Sequence, residues 1–395
     1  MDIRRQDVTQ HYFDASLIEW RRLLTVERWW RIVAFWTVMV ALAWGVAIYS
    51  ARNPVSHQPG VVPAASPVEA LSAWDGSNYG RIAVDGYAVT ERASGLFNFF
   101  PLYPGLSRLL GGIDHAPMAG ILLSQFLALM CLMLMSVMAH GHDAGMLSRE
   151  PGFWLLLGPF GFFMLAFYTE SLFLLLTLLH YFAYVPGQLR VSAASGILAG
   201  LTRPTAIALP AMLWVEAIRR WRRNERWFAV AVTGATPLLG IGIYFAYVAW
   251  RMGNVLGYPH LSNQTASNAL RIPLHPMAVD LRAWIYNLRL SGTTPLFDMV
   301  LRHGSTFVVL LLLLLAWRRL PVSWLFYSGG VLLLVHSFSP IVVSSGRYEL
   351  MLFPAYFALA TTRLAKSRAW PAVAVGFAVL SVISLYRFTT WRWIG

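Results

Sequence analysis

Polar chemistry in this chain is concentrated between residues 74 and 104, WDGSNYGRIAVDGYAVTERASGLFNFFPLYP, while the flanking sequence is mostly long apolar runs. Asp75 and Asp85 stand ten residues apart in it, with Tyr79, Arg81, Tyr87 and Glu91 around them. A carboxylate among aromatic and basic side chains suits proton transfer from a bound hydroxyl. Elsewhere, Glu170, Arg203 and Arg347 fall in or beside apolar runs. An arginine in such a run needs an anionic partner or water, and its planar fork fits the paired oxygens of a phosphate. Asp, Gly, Tyr and Pro also collect in any connecting loop, so composition alone marks 74–104 only as a loop.

Long apolar helices must position these groups. Of 395 residues 57% are hydrophobic and 12% charged, with a mean hydropathy of +0.55. That balance belongs to a multi-span membrane protein, read as one polytopic domain over residues 1–395. The lone cysteine, Cys131, lies in an apolar run, which excludes an intrachain disulfide and a cysteine-built metal site. A net charge of +13 would suggest nucleic acid in a soluble protein; in a membrane chain it faces lipid headgroups and the cytoplasm. No nucleic-acid partner is expected.

Residues 1–31 lack the apolar core and cleavage site of a signal peptide, and read as an interfacial helix on the cytoplasmic surface. A first span at 32–50 leads into a long loop, 51–116, whose first part (52–67) is irregular and whose second part is the polar stretch. After a span at 117–139, His140, His142 and Asp143 have ligand-like spacing. Gly141 and Gly145 make that segment a turn, and no further ligands lie nearby, so no metal is expected. The runs 153–185 and 192–218 each read as two short helices, with Glu170 near one turn and Arg203-Pro204 at the other break. Arg219, Arg220, Arg222, Arg223 and Arg226 mark a cytoplasmic loop. Further spans are expected at 227–250, 304–317, 322–338, 348–362 and 370–388, with a second long loop at 251–303. The fold class is therefore all-α, with about nine to eleven transmembrane helices. With a cytoplasmic N-terminus, both long loops and Arg347 fall on the non-cytoplasmic face, as do Glu170 and Arg203 in the eleven-span version.

Trp74-Asp75-Gly76, Tyr79, Ile82-Ala83, Gly86-Tyr87 and the block from Phe99 to Pro104 form an ordered pattern. It resembles the first-loop signature of the PIG-V family, the second mannosyltransferase of GPI-anchor assembly, and its bacterial relatives. Residues 166–173 (AFYTESLF) and 200–204 (GLTRP), and Arg347-Tyr348 with Phe353-Pro354, look like further blocks of that family. The stretch 221–340 shows no clear motif, and acceptor choice would lie there. The resemblance implies a GT-C-type membrane glycosyltransferase that moves a sugar from a polyprenyl-phosphate donor to a lipid or glycolipid acceptor, without metal or other cofactor. It implies a bacterial plasma membrane with the site on the non-cytoplasmic side. Asp75 matches the loop carboxylate and would be the general base of an inverting transfer. Arg203 and Arg347 would hold the donor phosphate, with Trp74, Tyr79, Asp85, Tyr87, Tyr168, Glu170 and Tyr348 around the substrates. Asp85 is the weaker carboxylate, because its position is not reliably acidic in the family.

The residue chemistry agrees with this expectation. A phosphodiester carries one negative charge that one or two arginines balance, and phosphate leaves without protonation, so one carboxylate suffices. The chain contains no Asp-x-Asp pair of the metal-holding kind. A GT-C enzyme of another sugar specificity remains an alternative, as does a polyprenyl-lipid transporter or flippase, although two related halves are not visible. A scaffolding subunit would give no reason for charged groups to converge on one face.

Overall fold

The computed structural model describes residues 26–87, 91–139, 146–253, 278–279, 281–282, 285, 296–337 and 344–392, and every regular element among them is a helix. Helix α1 (Val26–Arg52) is followed by irregular chain and then by a cluster of short elements. These are α2 (Pro67–Leu71), α3 (Asp75–Asp85), a 3-10 segment (Glu91–Asn98) and α4 (Leu102–Gly111). Ser66 caps α2 by accepting from the Glu69 N–H, with Pro67 at the first helical position, a common way to start a helix. Next come α5 (Ala116–Met138), α6 (Pro151–Leu157), α7 (Glu170–Tyr184), α8 (Leu189–Gly200), α9 (Pro210–Arg222) and α10 (Phe228–Met252). The last part holds α11 (Leu296–Ala316), α12 (Val322–Ser337), α13 (Ser345–Glu349), α14 (Phe353–Ala360), α15 (Arg363–Lys366) and α16 (Trp370–Thr389).

Among the described residues four helices, α1, α5, α10 and α16, are long and apolar enough to cross a membrane. At about 1.5 Å per residue they reach roughly 30–40 Å, against a hydrocarbon core of about 30 Å. Shorter apolar helices lie in α7, α8, α11 and α12. This all-helical, apolar architecture suits a membrane protein.

The centre is built on α7, buried almost along its whole length, with α5 and α8 packed against it. Between α8 and α10 the contact is a glycine seam. A Cβ on Gly200 would stand 2.2 Å from the Pro237 carbonyl oxygen, and one on Gly240 would stand 2.1 Å from that of Ile197. Small residues here let two backbones approach as close as side chains elsewhere, the usual device for joining helices in lipid. On another side, Arg28 of α1 is buried against Glu150, with Nε 2.8 Å from Oε1 and Nη2 donating to the Ser136 carbonyl at 2.8 Å.

The expected breaks in 153–185 and 192–218 are present: irregular and 3-10 chain separates α6 from α7 and α8 from α9. Two expectations need correcting. The stretch 348–362 is not one span, because the chain turns at Leu350–Leu352 ahead of Pro354, leaving an α14 of only 8 residues. The segment just before residue 32 is not a separate interfacial helix: α1 runs unbroken from Val26, and Arg28 turns inward to Glu150. Residues 1–25, the turn with His140, His142 and Asp143, and most of the loop 251–303 lie outside the described residues.

Candidate functional site

Four charged side chains meet where three breaks in helical structure face the start of α3. Pro204 disfavours a helical conformation at the residue before it, and Arg203 is accordingly extended (φ −156°, ψ 148°). That extension directs its guanidinium to Glu170, the first residue of α7, with Nη1 donating to Glu170 Oε1 and, at 3.3 Å, to Thr169 Oγ1. Arg347 on the short α13 lies against the same carboxylate, its Nε 2.9 Å from Glu170 Oε1, and donates from Nη1 to Asp75 Oδ2 at 2.5 Å. Two arginines therefore share one buried glutamate, and one of them also holds the aspartate.

The four members differ in access. The Glu170 side chain is 0% exposed and that of Arg347 5%, whereas Asp75 keeps 29%. Asp75 is thus the member that an incoming molecule meets. Inside the cluster, hydrogen bonding is incomplete: among the described residues Glu170 Oε2 accepts no hydrogen bond, and the Arg347 Nε–H finds no well-aligned acceptor despite its short contact with Oε1. Buried polar atoms in this state cost free energy. Aromatic faces complete the surround. The Arg203 guanidinium lies 4.7 Å from the Tyr348 ring centre, and that of Arg347 lies 5.3 Å from Tyr168 and 5.9 Å from Phe163.

Asp75 is held by the turn that precedes it. Trp74 has φ +60° and ψ −123°, a region disfavoured for any residue with a Cβ. Tyr168 pins both sides of that residue: its hydroxyl donates to the Ala73 carbonyl at 3.0 Å and accepts from the Asp75 N–H at 3.1 Å. One residue away, the Phe167 N–H donates to the Leu71 carbonyl at 3.0 Å. Gly76 lies close over the same segment, where a Cβ would sit 3.3 Å from the Phe167 oxygen. The Trp74 ring packs on Trp391, with centres 5.5 Å apart.

Of the residues selected in the sequence, Asp75, Tyr168, Glu170, Arg203, Arg347 and Tyr348 are brought together. Tyr79 lies beneath them, its ring edge-on to Tyr168 and its hydroxyl 3.4 Å from Thr169 Oγ1. Burial raises its phenol pKa against the opposing pull of Arg203 and Arg347, so Tyr79 stays protonated. Asp85 and Tyr87 are placed elsewhere. Asp85 is exposed at the last turn of α3, about 15 Å along the helix from Asp75. Tyr87 stacks on Phe97, donates to the Phe99 carbonyl at 2.5 Å, and its own carbonyl accepts from Arg251 at 2.8 Å. Thr169 and Trp391 were not selected. Thr169 had a signal in its adjacency to Glu170; Trp391 had none, since its contact is purely tertiary.

Among the described residues no group of three or more His, Cys, Asp or Glu is placed to hold a metal. No family model, curated protein or solved structure matches the chain.

Proposed function

We propose that the chain is a membrane glycosyltransferase of the GT-C type, with about nine to eleven crossings, that moves a sugar, mannose by the resemblance above, from a polyprenyl-phosphate donor to a lipid or glycolipid acceptor. The observation that carries this reading is the ionic cluster, in which two arginines sit over one buried glutamate with a part-exposed aspartate at the edge. Arginines so arranged fit the single negative charge of a phosphodiester. In the transfer, the acceptor oxygen attacks the anomeric carbon as the bond from that carbon to the phosphate oxygen breaks. The phosphate departs on its lipid, and Asp75 takes the hydroxyl proton. Because Arg347 is the partner of Asp75, a phosphate that draws the guanidinium toward itself loosens that ion pair and frees the carboxylate to accept a hydrogen bond from the acceptor hydroxyl. The site would lie on the non-cytoplasmic face of a bacterial plasma membrane.

The test is sugar transfer by the purified protein from a panel of radiolabelled polyprenyl-phosphate sugars into a total lipid extract. Labelled product from wild type and none from Asp75→Asn is the expected result. No transfer from any donor, by protein that is folded and lipid-bound, would sink the reading.

A further inference from the structure

The helix that carries Arg347 is too short to hold itself. α13 has 5 residues, and a helix of that length is not stable by its own hydrogen bonds. Its position depends on tertiary contacts, and several of these belong to the ionic cluster. Arg347 is held by Glu170 and Asp75, and the Tyr348 ring packs on the Arg203 and Arg347 guanidinium groups. An anion that draws Arg347 away from its carboxylates therefore weakens what holds the arginine's own backbone. An element in that situation needs a fastening for which the anion does not compete.

Glu349 is placed to be that fastening. Two residues along a helix is a rotation of about 200°, so Glu349 leaves α13 on the side away from Arg347. It meets α11, where Oε2 accepts from Ser305 Oγ at 2.6 Å and Oε1 accepts from Thr306 Oγ1. Both hydroxyls also lie near the Arg302 carbonyl oxygen, at 2.8 and 3.2 Å. Each has one proton to give, and an ionised carboxylate is the stronger acceptor. Glu349 is 3% exposed. Stability does not explain a carboxylate in such a place, because well-packed apolar side chains are often as stable there or more so. What it adds over hydrocarbon is direction, since two oxygens on two adjacent hydroxyls fix both the distance and the rotation of α13 against α11. On another side α13 is seated on Phe160, so closely that a Cβ on Gly346 would stand 2.2 Å from the ring.

We infer that Glu349 is a positioning residue for Arg347. By fastening α13 to α11 it keeps the guanidinium at the cluster while ion pairs with Glu170 and Asp75 are exchanged for those with an incoming phosphate. The inference deepens the reading of the cluster as a lipid-phosphate site and rests on it. If Arg347 without this fastening occupies its place for a tenth of the time, the apparent dissociation constant of the phosphate rises about tenfold.

The test uses the full-length protein in detergent and two readouts. One is binding of geranyl phosphate by calorimetry; the other is modification of individual arginines by phenylglyoxal without any ligand, mapped by mass spectrometry. Glu349→Leu should weaken binding by about tenfold and speed modification of Arg347 by a similar factor, while Arg28, buried against Glu150, reacts as in wild type. Glu349→Gln should stay within about threefold of wild type in both. Its amide accepts from Thr306 and donates to Ser305 Oγ, whose proton then goes to the Arg302 carbonyl. The triple variant Ser305→Ala, Thr306→Val, Glu349→Leu removes both sides of the contact and strands no polar group, so it keeps the fold even where the single Leu substitution does not. Its binding should fall as for Glu349→Leu with the unfolding temperature held or raised, a separation that a merely structural role does not produce. Unaltered binding and unaltered Arg347 modification in a folded Leu or triple variant would overturn the inference. So would a loss in Glu349→Gln equal to that in Glu349→Leu, which makes charge rather than fastening the cause. Wild type that binds no geranyl phosphate, while loss of Glu349 still exposes Arg347 to phenylglyoxal, removes the lipid-phosphate reading and leaves the fastening in place.

Discussion

Asp75 and Arg347 are 272 positions apart in the chain and in direct contact in the fold. Their pairing makes the sharpest prediction. Asp75→Asn keeps the shape of the side chain but cannot take a proton, so turnover should fall by about a hundredfold to ten-thousandfold. Binding of polyprenyl phosphate should hold or tighten, since a competitor for Arg347 is gone; a binding assay beside the rate assay separates the two effects. Asp85→Asn is the control, and being exposed it should change the rate by no more than about twofold. Arg203→Lys keeps the charge and loses the fork, so donor KM should rise by roughly ten- to hundredfold with the fold retained. Tyr168→Phe removes the two hydrogen bonds that bracket Trp74 and should cost about 1–2 kcal/mol of stability, read by thermal unfolding in detergent. The types of these residues were visible in the sequence, because a charge in an apolar run stands out. That Arg347 would hold Asp75 was not, since nothing local encodes a contact across that separation.

The helix breaks are the elements that the sequence made easiest to read. Pro204 forbids a continuous helix through Arg203, and the cost of a buried glutamate placed Glu170 near a turn; both breaks are where the chain has them. The failure at 348–362 has a related cause. Hydropathy there is high enough for a span, and Pro354 was read as part of a motif rather than as a helix start, which is the place proline prefers. The seam of α8 and α10 was also missed, though Gly196 and Gly200 stand one turn apart. Gly200→Ala puts a methyl group against a backbone oxygen that cannot rotate away, and should destabilise by about 1–3 kcal/mol. The measurement is the unfolding midpoint in detergent, with Gly242→Ala on the same α10, where a Cβ meets nothing within 4 Å, as the neutral comparison.

At the scale of the whole molecule, charge makes a prediction about orientation in the membrane. Arg219, Arg220, Arg222 and Arg223 gather at the end of α9, and Asp75 begins α3. Cysteines placed at Asn224 and Asn78, in a Cys131→Ala background, should react with an impermeant thiol reagent from opposite sides of sealed vesicles; labelling of both from one side would reverse the assignment of the site's face. Composition made the class of fold legible because hydrocarbon imposes long apolar helices. It did not reveal that Phe97, Phe100 and Tyr103 of the first long loop are buried, since their burial depends on partners such as Tyr244, whose hydroxyl donates to the Phe97 carbonyl at 2.8 Å. Nor did it reveal the Arg28–Glu150 pair. Glu150→Gln would strand a buried guanidinium and should cost about 3–5 kcal/mol, seen as a lower unfolding temperature.

The contact of Trp74 with Trp391 has a consequence for biosynthesis. Just after α16 the Thr390 carbonyl accepts from the His57 N–H at 3.0 Å, and Thr389 hydroxyl bonds Ser50 at 2.8 Å, so this late segment is laced to the strand of chain that leads to Asp75. On a ribosome, α1 and the Asp75 turn emerge first and wait through more than three hundred further residues for Trp391 to reach them. Until then the turn lacks one of its clamps, and for most of that interval Asp75 is without the Arg347 guanidinium that it pairs with in the fold.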